Sequence, residues 1–506
     1  MEGKDVALET VEKAEAPTGT PAALTEEELQ LQRKLKWKMD LIILPLLSTV
    51  YFFAQMGRSD LGNAKIMGMD KELGLSPGQY SNAASIFQVG YLLFQLPATL
   101  LVRKTGPPYQ FGGAMFGWGL VTICTVAIHS YGSLMVIRVF IGTIHKLGRP
   151  KTETLMTSQV CEAFVQGSVF YLSFWYPYNE LASRGAIYFS TAALAGAFNG
   201  LIAYAVQKDL GGVNSWQPWR WLFLIEGVLP MGWAFVVILF LPSTPENLKL
   251  VGRFFTADEK HLIIKRSRLA YNTGESKIRP KLILRVLLDP KFWLLVCIES
   301  ATLFCLTSFS NFLPAILHGF GWSTVKSQLM TVIVYACSFV TIIFWARVSD
   351  KTGRRGVVII INLFIAIVGY VLLLTLKGPS GRFAGCCILA MALYPNIVVN
   401  LTWSASINIG YTYRASATAL INSIGQAVSI AANQAYVDPP YYHKGIGASL
   451  GMIGFAMVMA TTLLFTLKWE NAKRKREQFS EESERIRRTQ TIDEVGNKWP
   501  DYFFSY

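Results

Sequence analysis

Charged side chains are scarce in this 506-residue chain, because only 16% of its residues are Asp, Glu, Lys or Arg. An ordinary soluble protein carries about 25% charged residues. Hydrophobic residues make up 52% of the chain, and its mean hydropathy is +0.34. This composition excludes a soluble fold of such a size and indicates a membrane protein.

Metal-binding, disulfide and catalytic patterns are also missing from the sequence. The seven cysteines lie in apolar stretches, without a Cys-x-x-Cys pair or a neighbouring histidine, so they support neither a zinc site nor a disulfide framework. No phosphate-binding loop, HExxH or G-x-S-x-G motif occurs in a suitable context. The polar stretch 1–38 has no apolar core typical of a cleaved signal peptide. We therefore expect no metal, no cofactor and no enzymatic activity.

Long apolar runs are the main positive feature of the chain. A transmembrane helix needs about 20 mostly apolar residues to cross the hydrocarbon core. Such runs predict an all-α membrane protein with twelve transmembrane helices in two six-helix bundles. The predicted spans are 40–57, 82–102, 111–130, 132–142 continued by 160–175, 185–206, 221–241, 292–318, 328–346, 356–376, 383–402, 416–436 and 448–467.

One long polar connection, Pro242 to Lys291, divides the predicted spans into six and six. Most of the 47 Lys and Arg residues fall in the two tails, in this connection and in the loops on its side, which predicts that both termini are cytosolic. The net charge of +14 thus indicates contact with lipid headgroups, not with nucleic acid. The predicted segments are a tail (1–39), a bundle (40–241), a central loop (242–291), a second bundle (292–467) and a second tail (468–506).

The tight loop between the eighth and ninth spans carries a recognisable motif. Residues 346–355 read Ala-Arg-Val-Ser-Asp-Lys-Thr-Gly-Arg-Arg. They resemble the G-x-x-x-D-R/K-x-G-R-R loop of the major facilitator superfamily, with Ala346 in place of the first glycine. The resemblance implies a gating loop that holds one access state closed, through Asp350, Lys351, Gly353, Arg354 and Arg355. The alternative is a solvated basic loop that only sets orientation.

Further motifs point to one branch of that superfamily. The clearest is Trp219 to Gly227, which reads WRWLFLIEG. Others are Gly62 to Lys65, Gly90-Tyr91, Pro97, Ser173 to Pro177, Ala182 to Arg184, Ala195 to Leu201, Phe255 to Glu259 and Phe312 to Pro314. Over residues 34–470 the chain resembles the anion:cation symporter family, and more narrowly the fungal allantoate permeases with their nicotinate and pantothenate relatives. The resemblance implies the major facilitator fold, alternating access around a midplane cavity, and a monomer.

Ionisable residues inside the spans are functional candidates, because a charge in hydrocarbon is costly. In relatives, an arginine and a glutamate of the fourth span line the cavity. This implies that Arg138 attracts an anionic substrate, while Glu162 contacts the substrate and exchanges a proton. Glu226 of the sixth span is a second proton-coupling candidate, or else a residue that positions helices. The alternative for Arg138 and Glu162 is an ion pair with a structural role only. Glu299 of the seventh span carries little weight.

The second half contributes polar candidates, and the first half departs from the family pattern. Asn311, Tyr335 and Asn396 are predicted to complete the substrate site. Where relatives commonly have Asp-Arg-Thr/Ser-Asn at the end of the first span, this chain has Gly57-Arg58-Ser59-Asp60. The carboxylate has moved three residues along, which keeps it on about the same helix face.

The fourth predicted span is interrupted. Thr143 to Gln159 contains three basic residues, a proline and glycine, a polarity that hydrocarbon does not tolerate unless the chain is shielded. Its removal would leave Arg138 and Glu162 about two helical turns apart on one face. We therefore interpret 143–159 as an aberrant insert, such as a translated intron. A genuine re-entrant or loop insertion is the alternative.

Together these features predict a secondary transporter of a small organic anion, a carboxylate or vitamin-like compound, by proton-coupled symport. Its partners are the anion, the proton and the lipid bilayer. We expect a multi-pass protein of the plasma membrane, with a vacuolar or other endomembrane as the alternative site. Efflux of a fungal secondary metabolite is the alternative function, and a non-transporting nutrient receptor is a more remote one.

Overall fold

A computed structural model describes most of the chain. The described residues are 26–86, 106–143, 171–172, 175–176, 178–243, 245, 254–271, 280–408, 411–439, 441–489, 495, 497, 499–500 and 502–504. All regular elements longer than a single bridge in these ranges are helical. The segment 144–170 lies outside them, so the predicted insert at 143–159 and the role of Glu162 stay predictions.

Fifteen helices are described and are numbered here in chain order. They are α1 (Glu26–Ala64), α2 (77–86), α3 (Pro107–Cys124), α4 (Tyr131–Thr143), α5 (Tyr178–Asp209), α6 (Pro218–Phe240), α7 (Ala257–Tyr271), α8 (Pro280–Leu288), α9 (Pro290–His318), α10 (Thr324–Thr352), α11 (Arg355–Thr375), α12 (Pro379–Ile407), α13 (Tyr411–Ala435), α14 (His443–Glu477) and α15 (Glu481–Thr489). A π-helical turn, Lys65–Met69, and a short helix, Asp70–Glu72, extend α1.

Nine helical segments of the described ranges are long and apolar enough to cross a membrane. They correspond to α1, α3, α5, α6, α9, α10, α11, α12 and α14. The predicted second and fourth spans lie partly outside the described residues. The predicted eleventh span is present as α13, a helix of 25 residues, although it is not one of these nine segments.

Local sequence signals set where several helices begin and end. Proline stands in the first turn of α3, α6, α9 and α12, where its missing N–H needs no partner. The Asp289 side chain caps α9 by accepting a hydrogen bond from the Lys291 backbone N–H at 3.0 Å. Gly353 ends α10 in the left-handed conformation, with φ of 65°, which a residue with a Cβ adopts less readily.

The helices form two halves, α1 to α6 and α9 to α14, whose most extensive contacts are along two helix pairs. In one, α5 packs against α10, and in the other α1 packs against α9. A Cβ at Gly196 of α5 would lie 2.6 Å from the ring of Tyr335 of α10. A Cβ at Gly62 would lie 2.7 Å from the Asn311 carbonyl oxygen. These close approaches require glycine, which lets the Tyr335 ring pack on the α5 backbone and brings the α1 and α9 backbones together at Gly62.

The central connection is attached to the first half by an ion pair. Lys38 of α1 donates to both carboxylate oxygens of Glu259 in α7, at 2.9 and 2.7 Å. Burial raises the pKa of Glu259, but the hydrogen bonds from Lys38 and Thr256 outweigh it and hold that pKa below its usual range. Glu259 is therefore charged at neutral pH and fixes the start of α7 against α1.

The described residues between 495 and 504 contact the second half. Asn497 donates from Nδ2 to Asn408 Oδ1, just beyond α12, at 3.0 Å. The Phe504 backbone N–H and C=O both bind the side chain of Asn471 in α14, at 2.9 and 2.8 Å. Lys291 Nζ, in α9, lies 4.6 Å from the Phe504 ring centroid. This C-terminal strap thus joins one end of three helices of the second half.

Candidate functional site

A cavity of about 120 Å³ lies between the two halves. The first half supplies side chains from α1, α2, α4 and α5, and the second half from α9, α10, α12 and α13. Its polar lining residues are Tyr51, Gln55, Arg138, Thr307, Ser310, Asn311, Tyr394, Asn422 and Gln426. Residues of both halves therefore line the cavity, which carries a single cationic side chain among its described lining residues.

Arg138 is the charged residue of this lining. Its side chain is buried, with 4% exposure, and Nε has no hydrogen-bond partner among the described residues. No described carboxylate lies within ion-pair distance, and Asp60 acts on Arg138 only electrostatically. A buried guanidinium that is not neutralised attracts an anion, and its planar fork suits a carboxylate.

Two buried acids lie behind this arginine. Asp60 of α1 and Glu226 of α6 are 1% and 3% exposed, and their carboxyl groups lie within hydrogen-bonding reach of each other. Asp60 Oδ2 and both Glu226 oxygens accept no hydrogen bond from a donor of the described residues. Two ionised carboxylates repel each other and cannot hydrogen-bond, so a proton on one of them would stabilise this arrangement.

Neighbouring amides position Asp60. Asn199 of α5 donates from Nδ2 to Asp60 Oδ1 at 2.7 Å and to the Met56 carbonyl at 3.0 Å. Asn63 in turn donates from Nδ2 to Asn199 Oδ1. The acids of α1 and α6 are therefore held by a polar network that includes α5, and a change of charge at Asp60 acts on three helices.

The structure separates the predicted polar residues of the second half. Asn311 lines the cavity and donates from Nδ2 to Asn433 Oδ1 at 2.9 Å. Tyr335 lies outside the lining, packed edge-on against Tyr394 with ring centroids 6.0 Å apart. Asn396 also lies outside it and donates to Thr302 Oγ1 at 3.1 Å.

The predicted gating motif forms a compact junction within the second half. Arg355 Nη1 donates to the Thr402 carbonyl at 2.7 Å, and Arg355 Nη2 lies 3.9 Å from Asp350 Oδ1. Lys351 and Arg354 are exposed. Arg355 therefore links the ends of α10, α11 and α12, while the other two cations face outward.

The end of the molecule that holds Lys65 is closed between the halves. Gln434 of α13 donates from Nε2 to Asn82 Oδ1 of α2 at 3.0 Å, and Ser85 Oγ donates to the Ile430 carbonyl at 3.3 Å. Lys65 itself reaches across to the Tyr442 hydroxyl. We refer to this end as the closed end.

Sequence reasoning missed several residues of the site. The sequence showed Asp60 only as a carboxylate displaced from the family position. It did not show the contact with Glu226, because the two residues are distant in sequence. Asn422 and Gln426 of α13 both line the cavity. Two polar residues one helical turn apart in an apolar span share a helix face, and this spacing could have indicated them as cavity residues.

Comparison with known sequences gives one family and several relatives. The family model described as Major Facilitator Superfamily matches residues 47–433. An uncharacterised transporter of Schizosaccharomyces pombe is 31% identical, over 91% of this chain and 89% of its own. The high-affinity nicotinic acid transporter of Saccharomyces cerevisiae is 28% identical, over 88% of this chain and 80% of its own. The MFS transporter prlL of a fungal species is 30% identical, over 92% and 93%.

Solved structures match the overall fold. A bacterial homologue of the human lysosomal transporter Spinster, in an inward-facing and unoccupied conformation, has a TM-score of 0.61 at 15% sequence identity. The match covers 83% of this chain and 95% of that chain. At this identity the similarity concerns the fold alone.

Proposed function

The chain belongs to the major facilitator superfamily and is a membrane transporter, not an enzyme, as its sequence predicts. From this premise, we propose that it moves a small organic anion together with a proton. The nicotinic acid transporter among its relatives supports the vitamin-transporter group that the sequence motifs indicate. A carboxylate of similar size is the substrate class that we favour.

The observation that carries this proposal is the position of Arg138. It is a buried cation on the cavity wall, and no described carboxylate pairs with it. A bound carboxylate would supply the missing negative charge through two parallel, charge-assisted hydrogen bonds. Asn311, Asn422 and Gln426 on the opposite wall can bind the remaining polar groups of the substrate.

The proton is assigned to the buried acids of the first half. In this proposal one proton is shared by the Asp60 and Glu226 carboxyl groups, and Asp60 acts electrostatically on Arg138. A substrate anion and a proton that enter together leave the net charge of the site unchanged. The loaded carrier can then change access without a new uncompensated charge in the membrane. Glu162 stays a candidate for the same role.

The direction of access follows from the proposed orientation. With both termini and the central loop in the cytosol, the closed end faces outward and the cavity belongs to an inward-facing conformation. The cavity lies between two halves of one chain, which supports a monomer as the transport unit. The plasma membrane is the proposed site.

Uptake by cells tests the proposal. Labelled allantoate, nicotinate, pantothenate and biotin would be offered to yeast that lacks its own permeases, at acidic and at neutral pH. We expect one anion of this panel to enter faster at acidic pH, and a protonophore should abolish its accumulation. Uptake that is independent of pH and protonophore would contradict proton coupling. Loss of a preloaded anion on expression would instead indicate export, the alternative direction.

A further inference from the structure

Glu299 is a second buried acid, in the half of the molecule opposite to Asp60 and Glu226. It lies on α9, about 14 Å along the helix axis from Pro290. Its side chain is fully buried, with 0% exposure. A carboxyl group at this depth is well inside the membrane-spanning part of α9, where a charge requires a partner.

No cation of the described residues forms an ion pair with Glu299. Its Oε2 accepts a hydrogen bond from Asn400 Nδ2 of α12, and its Oε1 has no partner there. The elements packed against α9 are α1 with its π-helical extension Lys65–Met69, α8, α10, α12, α13 and α14. From their described residues, the Asn400 amide is the one polar group that acts on the carboxyl, and no charged or titratable group does so. Burial without a described cation therefore favours the neutral, protonated form of Glu299.

The site lies directly behind the cavity wall. Leu303, one helical turn from Glu299 on the same face of α9, lines the cavity. Leu401 follows Asn400 and is also part of the lining. On α13, a Cβ at Gly425 would lie 3.3 Å from Glu299 Cγ, and the adjacent Gln426 lines the cavity. A small movement of α12 or α13 would thus admit cavity water to the carboxyl.

We propose that Glu299 and Asn400 form a proton-binding site in the second half, separate from the Asp60–Glu226 pair. The proton occupies the carboxyl while the site is dry. When water reaches it, the O–H bond breaks, the proton passes to water, and the carboxylate keeps the Asn400 amide as a donor. The inference rests on the proposed proton coupling and adds a second acid to it.

The test uses the full-length protein in liposomes, with the panel anion that cells take up fastest. Two rates are measured for each variant: uptake driven by an inward proton gradient, and exchange of labelled for unlabelled anion at equal pH. For Glu299→Gln, we expect exchange at the wild-type rate and gradient-driven accumulation reduced at least about tenfold, because an amide holds no exchangeable acidic proton. Wild-type accumulation in this variant would overturn the proposal.

A matched control lies one turn along the same helix pair. Thr302 of α9 is also fully buried and accepts a hydrogen bond from Asn396 of α12. Thr302→Val removes this α9–α12 hydrogen bond without changing any titratable group, so both rates should stay near wild type. A tenfold loss of accumulation in Thr302→Val would assign the effect to helix packing and overturn the proposal.

Two further outcomes are decisive. If Glu299→Gln exchanges no anion, the same two rates are measured for Glu299→Asp, which keeps the carboxyl group. Gradient-driven accumulation by Glu299→Asp supports the proton-binding site. Exchange without accumulation in this variant overturns it. If wild type shows no proton-driven uptake of any panel anion, the proposed function fails and the inference fails with it. If wild type shows proton-driven uptake and Glu299→Gln accumulates the anion equally well, the inference fails while the proposed function stands.

Discussion

Lys65 of the first half and Tyr442 of the second half meet across the closed end, with Nζ 3.4 Å from the phenol oxygen. The ammonium group also lies 4.1 Å from the ring centroid of Tyr80 and 5.7 Å from that of Phe312. Aromatic faces attract cations more strongly when water is excluded. These rings come from both halves, so the contact must break whenever the closed end opens.

Replacing this lysine should favour opening. We expect Lys65→Gln to destabilise the closed state by about 1 to 2 kcal/mol. This corresponds to roughly a 5- to 30-fold change in the ratio of closed to open conformations. The measurement is labelling of a cysteine placed at Gln55, on the cavity wall, by a membrane-impermeant thiol reagent from outside, in a background without the native cysteines. Lys444→Gln is the control, because Lys444 is exposed and pairs only with Asp438 among the described residues. Equal labelling in both variants would contradict the assignment.

Arg138→Lys should impair uptake by about 10- to 100-fold. The charge is kept, but the fork that binds a carboxylate through two parallel hydrogen bonds is lost, and a charged hydrogen bond contributes about 1.5–3 kcal/mol. Initial uptake rates across substrate concentrations measure the effect. Arg382→Lys is a matched control, because Arg382 is equally buried but stacks on Phe320 and Tyr441 away from the cavity. Normal kinetics in Arg138→Lys would remove its assigned role.

Glu226→Gln should make uptake insensitive to external pH. An amide can still hydrogen-bond to Asp60, but it holds no transferable proton, so the anion can exchange without accumulating. Uptake measured over a pH series, with and without a protonophore, gives the result. Glu481→Gln, the same chemical change on the exposed helix α15, should keep the acid stimulation. A wild-type pH profile in Glu226→Gln would leave Glu162 or Glu299 as the coupling acid.

The Lys38–Glu259 ion pair predicts a pH-dependent stability. Because the folded state lowers the pKa of Glu259, its contribution is present above the ordinary glutamate pKa of about 4.3 and is lost as pH falls through the lowered value. Glu259→Gln should therefore lower thermal stability at neutral pH, by about 1 kcal/mol or less, and converge with wild type in acid. Melting curves over a pH series test this, with Glu477→Gln, an exposed pair with Lys473, as control. A constant difference at all pH values would exclude the ion pair as the cause.

The interpretation of 143–159 as an insert predicts a shorter mature message. We expect cDNA across this junction to lack these codons, and a chain without them to transport, because Arg138 and Glu162 then share one helix face. Expression of both forms in the uptake assay measures the second point. A message that contains the codons, with activity only in the longer form, would establish a genuine insertion.

The apolar runs predicted the helices well, but they did not predict which side chains meet. Membrane spans can be predicted from sequence because length and hydropathy are local properties. Ten described helices each cover most of a predicted span. The contact between Asp60 and Glu226 depends on the rotation and height of two helices that are far apart in sequence. No local pattern contains that information.

The cavity residues show the same limit. Arg138 and Asn311 line the cavity, whereas Tyr335 and Asn396 are not among its lining residues. All four are polar or amphipathic groups in apolar spans, so composition alone does not separate them. What differs is the helix face: Tyr335 is directed towards Gly196 at a contact between the halves, and Asn396 is directed towards α9. A polar residue in a span predicts a partner, but not whether that partner is the substrate or another helix.

The C-terminal strap has a mechanical consequence. Because its residues bind the ends of α9, α12 and α14 together, these three helices cannot bend apart at that end without breaking it. The second half is therefore braced at that end, and we expect the motion between access states to occur at the contacts between the halves, where Gly62 meets the Asn311 carbonyl oxygen and Gly196 meets the Tyr335 ring.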